Sequence, residues 1–269
     1  MLSRLVTWWQ RKSQRVAATR YQADAWRCWR LQVPILRGLS EDEGEHLQHL
    51  AWQFLQQKSI TCIGVTPRTE QMAAMALQAC LPIMQLGLDW YRNFYEIILL
   101  PAPVERHDEI PLGAGLVAEE TSLHLGEAWE QGPVVLVWPE VLHDGHWDGY
   151  HLVIHELAHK LDMLADGIAN GMPPERPGVP IARWQSVMES SYAAVCHCHD
   201  TGVNCCLDEQ ACDGLDELFA IASEVFFCQP LALQQQYPAL YDLLRGWYQQ
   251  DPVRRQPSET RHWPRLGGQ

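Results

Sequence analysis

Nowhere does the chain hold the roughly 18–20 consecutive apolar residues that a membrane-spanning helix needs, so no integral membrane segment is expected. It is also short of basic charge: 20 Lys and Arg stand against 33 Asp and Glu, a formal net charge of −13. A surface of that sign repels phosphate, so direct nucleic-acid binding is not expected, whereas a basic patch on another protein is a compatible partner. Residues 1–20 lack the uninterrupted apolar core and small-residue cleavage site of a secretory signal. They carry Arg4, Arg11, Lys12, Arg15 and Arg20 around Leu2, Leu5, Val6, Trp8 and Trp9, and read as a basic amphipathic arm. Nine cysteines with no such signal point to a reducing, cytoplasmic compartment and free thiols. No internal repeat and no linker divides the chain.

What is present is enough apolar material for a core, 47% of 269 residues. Residues 21–250 are expected to form one domain, with 251–269 a flexible tail holding Arg254, Arg255, Arg261 and three prolines. Helical spacing runs from Asp24 to Lys58 with a break at Pro34. Ser40 and Glu43 form a capping box ahead of Leu47, Leu50, Ala51, Phe54 and Leu55. Further helices are expected over Thr69–Leu81, Tyr150–Leu164, Ile181–Val195, Leu215–Cys228 and Leu231–Gln249. Strands are expected at Ile60–Val65, Phe94–Leu100, Leu116–Gly126 and Pro133–Trp138, with Pro101–Gly115 a loop and Cys196–Cys212 irregular. The pattern is α+β: a mainly helical single domain with a small sheet.

The chemistry concentrates in Tyr150-His151-Leu152-Val153-Ile154-His155-Glu156-Leu157-Ala158-His159-Lys160-Leu161-Asp162. His155, Glu156 and His159 spell H-E-x-x-H. On a helix, residues four apart differ by about 40° in direction and about 6 Å in height, so both imidazoles can reach one ion. Zinc accepts each nitrogen at about 2.0–2.1 Å, and Glu156 stands where a carboxylate can take a proton from a metal-bound water. A catalytic ion wants a third protein ligand. No histidine follows at the short H-x-x-G-x-x-H spacing, so a carboxylate from another helix is expected. Leu215–Cys228 offers Glu217 and Glu224 on nearly one face. Either can be the ligand, and Glu224 or Asp162 can instead hold a ligand histidine from behind.

A second group of metal-binding residue types is Cys196-His197-Cys198-His199, Cys205-Cys206 and Cys212. It matches no zinc-finger spacing. A structural metal, redox pairing and inert thiols are its three readings.

The stretch Val153–Asp162, preceded by Gly126-Glu127-Ala128-Trp129 and Val134-Val135-Leu136-Val137-Trp138, resembles the Mlc titration factor A family of zinc peptidases. Glu217-Leu218-Phe219-Ala220 and Ser223-Glu224-Val225-Phe226-Phe227 are similar to that family's second motif. Cys80-Leu81-Pro82 and Leu88-Trp90-Tyr91 also fit, so the resemblance spans about residues 20–250. It implies a zincin-like active-site helix, similar to that of the anthrax lethal factor core. It also implies one catalytic zinc ion, aminopeptidase-like activity on small peptides in the bacterial cytoplasm, and binding to an Mlc-like transcriptional repressor. Carried over, the metal ligands are His155, His159 and Glu217, and the general base is Glu156. The family's Asp-x-Tyr before the ligand glutamate is Asp208-Glu209-Gln210 here. A phenol that could donate to a developing oxyanion is therefore replaced by an amide, and Tyr150 or Tyr192 are the substitutes at hand.

Two functions follow as expectations. One is a zinc peptidase, its peptide held along an edge strand near Leu116–Leu125. The other is a regulator-sequestering binding protein with vestigial peptidase activity.

Overall fold

The computed structural model describes residues 21–113, 116–124, 126–128 and 132–258, the segments from 104 to 128 by their backbone alone. The expected basic arm lies outside these residues. The first helix, α1 (Ala23–Gln32), ends before a 3-10 turn at Pro34–Leu36, where proline breaks the helical hydrogen bonding. The second, α2 (Glu41–Gln57), opens with the expected capping box: Glu43 N donates to Ser40 Oγ and Ser40 N to Glu43 Oε2. There follow β1 (Ser59–Cys62), α3 (Thr69–Cys80), β2 (Glu96–Leu100), β3 (Val104–Gly113), β4 (Leu116–His124), β5 (Gly126–Ala128) and β6 (Val134–Val137). The rest is helical: α4 (Trp138–His143), α5 (Leu152–Asp162), α6 (Ile181–Asp200), α7 (Leu215–Cys228), α8 (Pro230–Gln236) and α9 (Pro238–Tyr248). The fold is α+β as expected, helices dominating a small sheet.

That sheet has the order β1-β2-β6-β5. The first three strands are parallel, with Ile60 beside Ile97 and Ile97 beside Val134, and β5 closes the edge antiparallel to β6. In this register Ile97 and Leu99 share a face with Val134 and Leu136, and all four are buried, whereas Ile98 and Leu100 on the other face of β2 are half-buried. The helix α5 lies against this sheet and against α7. Two polar ties fix it there: Lys160 Nζ donates to Gly132 O (3.0 Å), and Asn93 Nδ2 donates to Lys160 O (2.7 Å).

Several expectations need correcting. The stretch read as the loop Pro101–Gly115 contains β3, which pairs with β4 in a separate two-stranded sheet. The segment Leu116–Leu125 is therefore no edge of the main sheet; β5 is. Cys196–Asp200 is not irregular but the last turn of α6. The single helix expected over Leu231–Gln249 is broken at Pro238, whose ring forbids continuation, into α8 and α9. Residues 251–258, expected in the tail, pack on the body. Tyr241 Oη donates to Asp251 Oδ1 (2.6 Å), Leu231 N donates to Gln256 Oε1 (3.3 Å), and Pro252 and Gln256 are buried.

Candidate metal centre

The site begins with how α5 starts. Its first turn would leave amide hydrogens without acceptors in a dry interior. Asp144, buried at the end of α4, accepts from Leu152 N and Val153 N, each at 3.0 Å. His151, also buried, accepts from Ile154 N through Nδ1 (3.3 Å), and Glu224 Oε2 on α7 accepts from His151 N (2.7 Å). So the residues that point α5 at α7 are Asp144 and His151, in a connection that the sequence shows only as rich in histidine, aspartate and glycine. An aspartate a few residues ahead of an apolar helix start is the one signal they leave.

From α5 project His155 and His159, their Nε2 atoms 3.2 Å apart and their rings edge to face. From the first turn of α7 comes Glu217, with Oε1 3.3 Å from His159 Nε2 and Oε2 3.5 Å from His155 Nε2. Ligands at about 2.05 Å in a tetrahedron are separated by roughly 3.3 Å. The two imidazole nitrogens stand at that separation, each with a different Glu217 oxygen at 3.3–3.5 Å, and one ligand atom from each residue lies within 4.8 Å of the others, so these residues could hold a single divalent ion. No other group of three His, Cys, Asp or Glu side chains among the described residues brings its ligand atoms within 4.8 Å. The cysteine stretch therefore does not assemble a second such site.

Behind the imidazoles, His155 Nδ1 donates to Glu224 Oε1 at 2.7 Å. That bond keeps a proton on Nδ1 and turns Nε2 toward Glu217 and His159, where a metal ion would take the place of the second proton that the neighbouring carboxylates favour. Of the two acids that the residues alone left open, Glu217 meets both imidazoles and Glu224 supports one. Asp162 does something else: its Oδ2 accepts from Asn170 N and Gly171 N, both at 2.7 Å. Gly171 has φ +75°, and a Cβ there would lie 2.5 Å from Leu215 O. Asp162 thus holds a loop against the start of α7, two residues from Glu217. His159 Nδ1 and Asp162 Oδ1 are buried without a hydrogen-bond partner among the described residues.

Charge is concentrated here. Burial disfavours the His155 imidazolium, but Glu224, Glu156 and Glu217 together raise its pKa to about 9. Burial raises Glu156 against the pull of His155 and His159, with Glu217 and Glu224 adding to the rise. Burial also opposes ionisation of Glu217, yet its contact with His159 and the charge of both imidazoles lower it. Asp162 is raised to about 6 by burial, against the hydrogen bonds from Gly171 and Asn170.

Gln210 lies exposed on a 3-10 turn at Glu209–Cys212. Of the two substitute phenols, Tyr192 is committed elsewhere, its Oη donating to Cys212 O at 2.6 Å. Tyr150 is partly exposed, and its phenol is raised by burial and by the carboxylates of Asp144, Glu224, Glu140 and Glu156.

Two imidazoles and a carboxylate around one point, with a further carboxylate alongside, are the donor set of a metal-dependent hydrolase. The chain belongs to the family described as glucose-regulated metallo-peptidase M90, whose model matches residues 6–249. Among its curated relatives is Mlc titration factor A of Edwardsiella ictaluri, 38% identical over 83% of this chain and 86% of that one. Mlc titration factor A of Yersinia enterocolitica is 35% identical, covering 88% and 91%. That of an Escherichia coli strain is 35% identical, covering 84% and 86%. The resemblance read from the motifs is borne out, and a metallopeptidase family implies a metal ion. No described helix is long and apolar enough to cross a membrane.

Proposed function

We propose that the chain is a zinc-dependent peptidase of aminopeptidase type, with His155, His159 and Glu217 as ligands of one zinc ion and Glu156 as general base. The observation that supports it most is the convergence of His155, His159 and Glu217, whose ligand atoms lie within 4.8 Å of one another, with a buried acid on the helix of the two histidines. A zinc ion there would supply Lewis acidity, making a water nucleophilic near neutral pH and polarising the scissile carbonyl. Glu156 takes the proton of the attacking water and passes it to the leaving amine. Glu224 keeps His155 in the tautomer that exposes Nε2. An extended peptide can add to the edge of β5, which lies against α5 and carries no described strand on its outer side. Residues 21–250 are the catalytic domain in this reading, and the compartment is the cytoplasm.

Metal analysis and turnover of aminoacyl and peptide anilides test it in wild type and Glu156→Gln. The expected result is about one zinc per chain in both, with activity lowered roughly 10²–10⁴-fold in the variant. Equal turnover by both proteins would remove Glu156 from the mechanism.

The names of the relatives, and the acidic surface implied by a net charge of −13, support a second role: binding an Mlc-type repressor. With Gln210 in the place of the family tyrosine, sequestration with vestigial turnover is the alternative reading. A pull-down with the host's Mlc-like repressor, using wild type and Glu156→Gln, tests this; no capture by either removes it.

A further inference from the structure

Glu224 stands behind one imidazole of the pair; among the described residues no acid bonds the other from behind. His159 turns Nε2 to Glu217 Oε1 at 3.3 Å, and its second ring nitrogen, Nδ1, is buried without a hydrogen-bond partner. Three residues on, and so beside it on the surface of α5, Asp162 is fully buried. Its Oδ1 also has no partner, and among the described residues it is the one fully buried carboxylate oxygen in that position. The carboxylate has little freedom to seek one. Its Oδ2 accepts from Asn170 N and Gly171 N, both at 2.7 Å, and the Trp184 indole donates to Gly171 O at 2.7 Å. The loop thus fixes one oxygen and with it the direction of the other.

We propose that Asp162 is the positioning residue of His159: one buried water accepts from His159 Nδ1 and donates to Asp162 Oδ1. The inference rests on the metal site proposed above. An imidazole that gives Nε2 to an ion is neutral and carries its proton on Nδ1. A donor sealed from solvent needs an acceptor, and the unpartnered Oδ1 on the same helix supplies one. No direct bond joins the two atoms, and a water between buried polar groups is nearly as favourable as such a bond. Both ligand histidines then have a carboxylate behind them, Glu224 from α7 and Asp162 from α5 itself. Through Asp162 the loop at Asn170 and Gly171 is joined to the metal centre by continuous hydrogen bonding.

The test takes the full chain, isotope-labelled at its histidine nitrogens, with zinc as the probe. Asp162→Asn keeps an oxygen for the two loop amides and puts an N–H donor where the water needs an acceptor. In zinc-loaded wild type, two imidazoles should show a metal-shifted Nε2 and a slowly exchanging Nδ1–H. Glu224→Ala should release the protection of one, and Asp162→Asn that of the other. Competition against a chelator should show zinc affinity about 10–100-fold lower in Asp162→Asn. A second measurement needs no variant: in wild type one of the two Nδ1–H protons should show a through-space contact with a long-lived water, and the other none. Absence of that contact would overturn the bridge. Zinc that shifts both rings, with affinity and Nδ1–H exchange in Asp162→Asn equal to wild type, would overturn the role of Asp162 alone. Zinc that leaves both rings unmoved would place the ion elsewhere and overturn the site with it.

Discussion

Glu224 Oε1 lies 2.7 Å from His155 Nδ1, and its Oε2 takes the backbone amide of His151 at 2.7 Å. One carboxylate thus sets both the tautomer of a ligand and the start of the helix that carries it. Glu224→Ala leaves both donors unpaired. Metal affinity is expected to fall about 10–100-fold, and that of Glu224→Gln less, since an amide oxygen still accepts. Competition against a chelator of known affinity measures it. Unchanged affinity in the alanine variant would show that His155 needs no support.

The same contact predicts a pH dependence for the metal-free protein. His155 titrates at about 9 in the fold, above its ordinary 6.5. Its contribution to stability is complete below about pH 6.5 and is lost as pH rises through about 9. Lys58 and Lys160, lowered to about 8 by burial, act in the opposite sense above that pH. Comparison with Glu224→Gln isolates the histidine. Wild-type Tm should fall between pH 6.5 and 8 with a steeper slope than the variant's. Metal loading below pH 9 should release a proton, visible in weakly buffered titrations. Equal slopes with no proton release would contradict the assignment.

Asp144 accepts two amides of the first turn of α5. Asp144→Ala leaves both without an acceptor in a buried place, a cost of about 2 kcal/mol. Thermal melts should show a fall of about 4–8 °C, with Asn at this position falling less. A melt identical to wild type would mean that α5 is held by packing alone.

Gly171 and Gly178 both have positive φ, +75° and +85°, but only Gly171 is crowded. Alanine at Gly178 should cost about 1 kcal/mol, the conformational term alone. Alanine at Gly171 adds a collision with Leu215 O and should cost about 2–3 kcal/mol, with weaker metal binding because α7 shifts beside Glu217. Equal losses from both would remove the link between this loop and the ligand.

Much of the fold was legible because it is local. The capping box at Ser40, the break at Pro34 and the apolar periods of α2, α3, α5 and α7 each depend on residues within one or two turns. The failures are those of locality. The β3 strand contains Pro111 and many charged residues, and its pairing with β4 is decided by the partner rather than by its own composition. Cys196–Asp200 continues α6 although its cysteines and histidines offer no apolar period.

The candidate site divides in the same way. The sequence by itself determined that His155 and His159 share a helix face, with Glu156 about 100° round from His155, because a 3.6-residue period leaves no other arrangement once the helix forms. Resemblance put Glu217 ahead of Glu224. Only the packing of α5 on α7 gave the two acids their places, one before the imidazoles and one behind. The roles of Asp144, His151 and Asp162 were likewise decided by tertiary structure. Each depends on contacts between residues far apart in the chain, where a buried donor must find its acceptor in three dimensions.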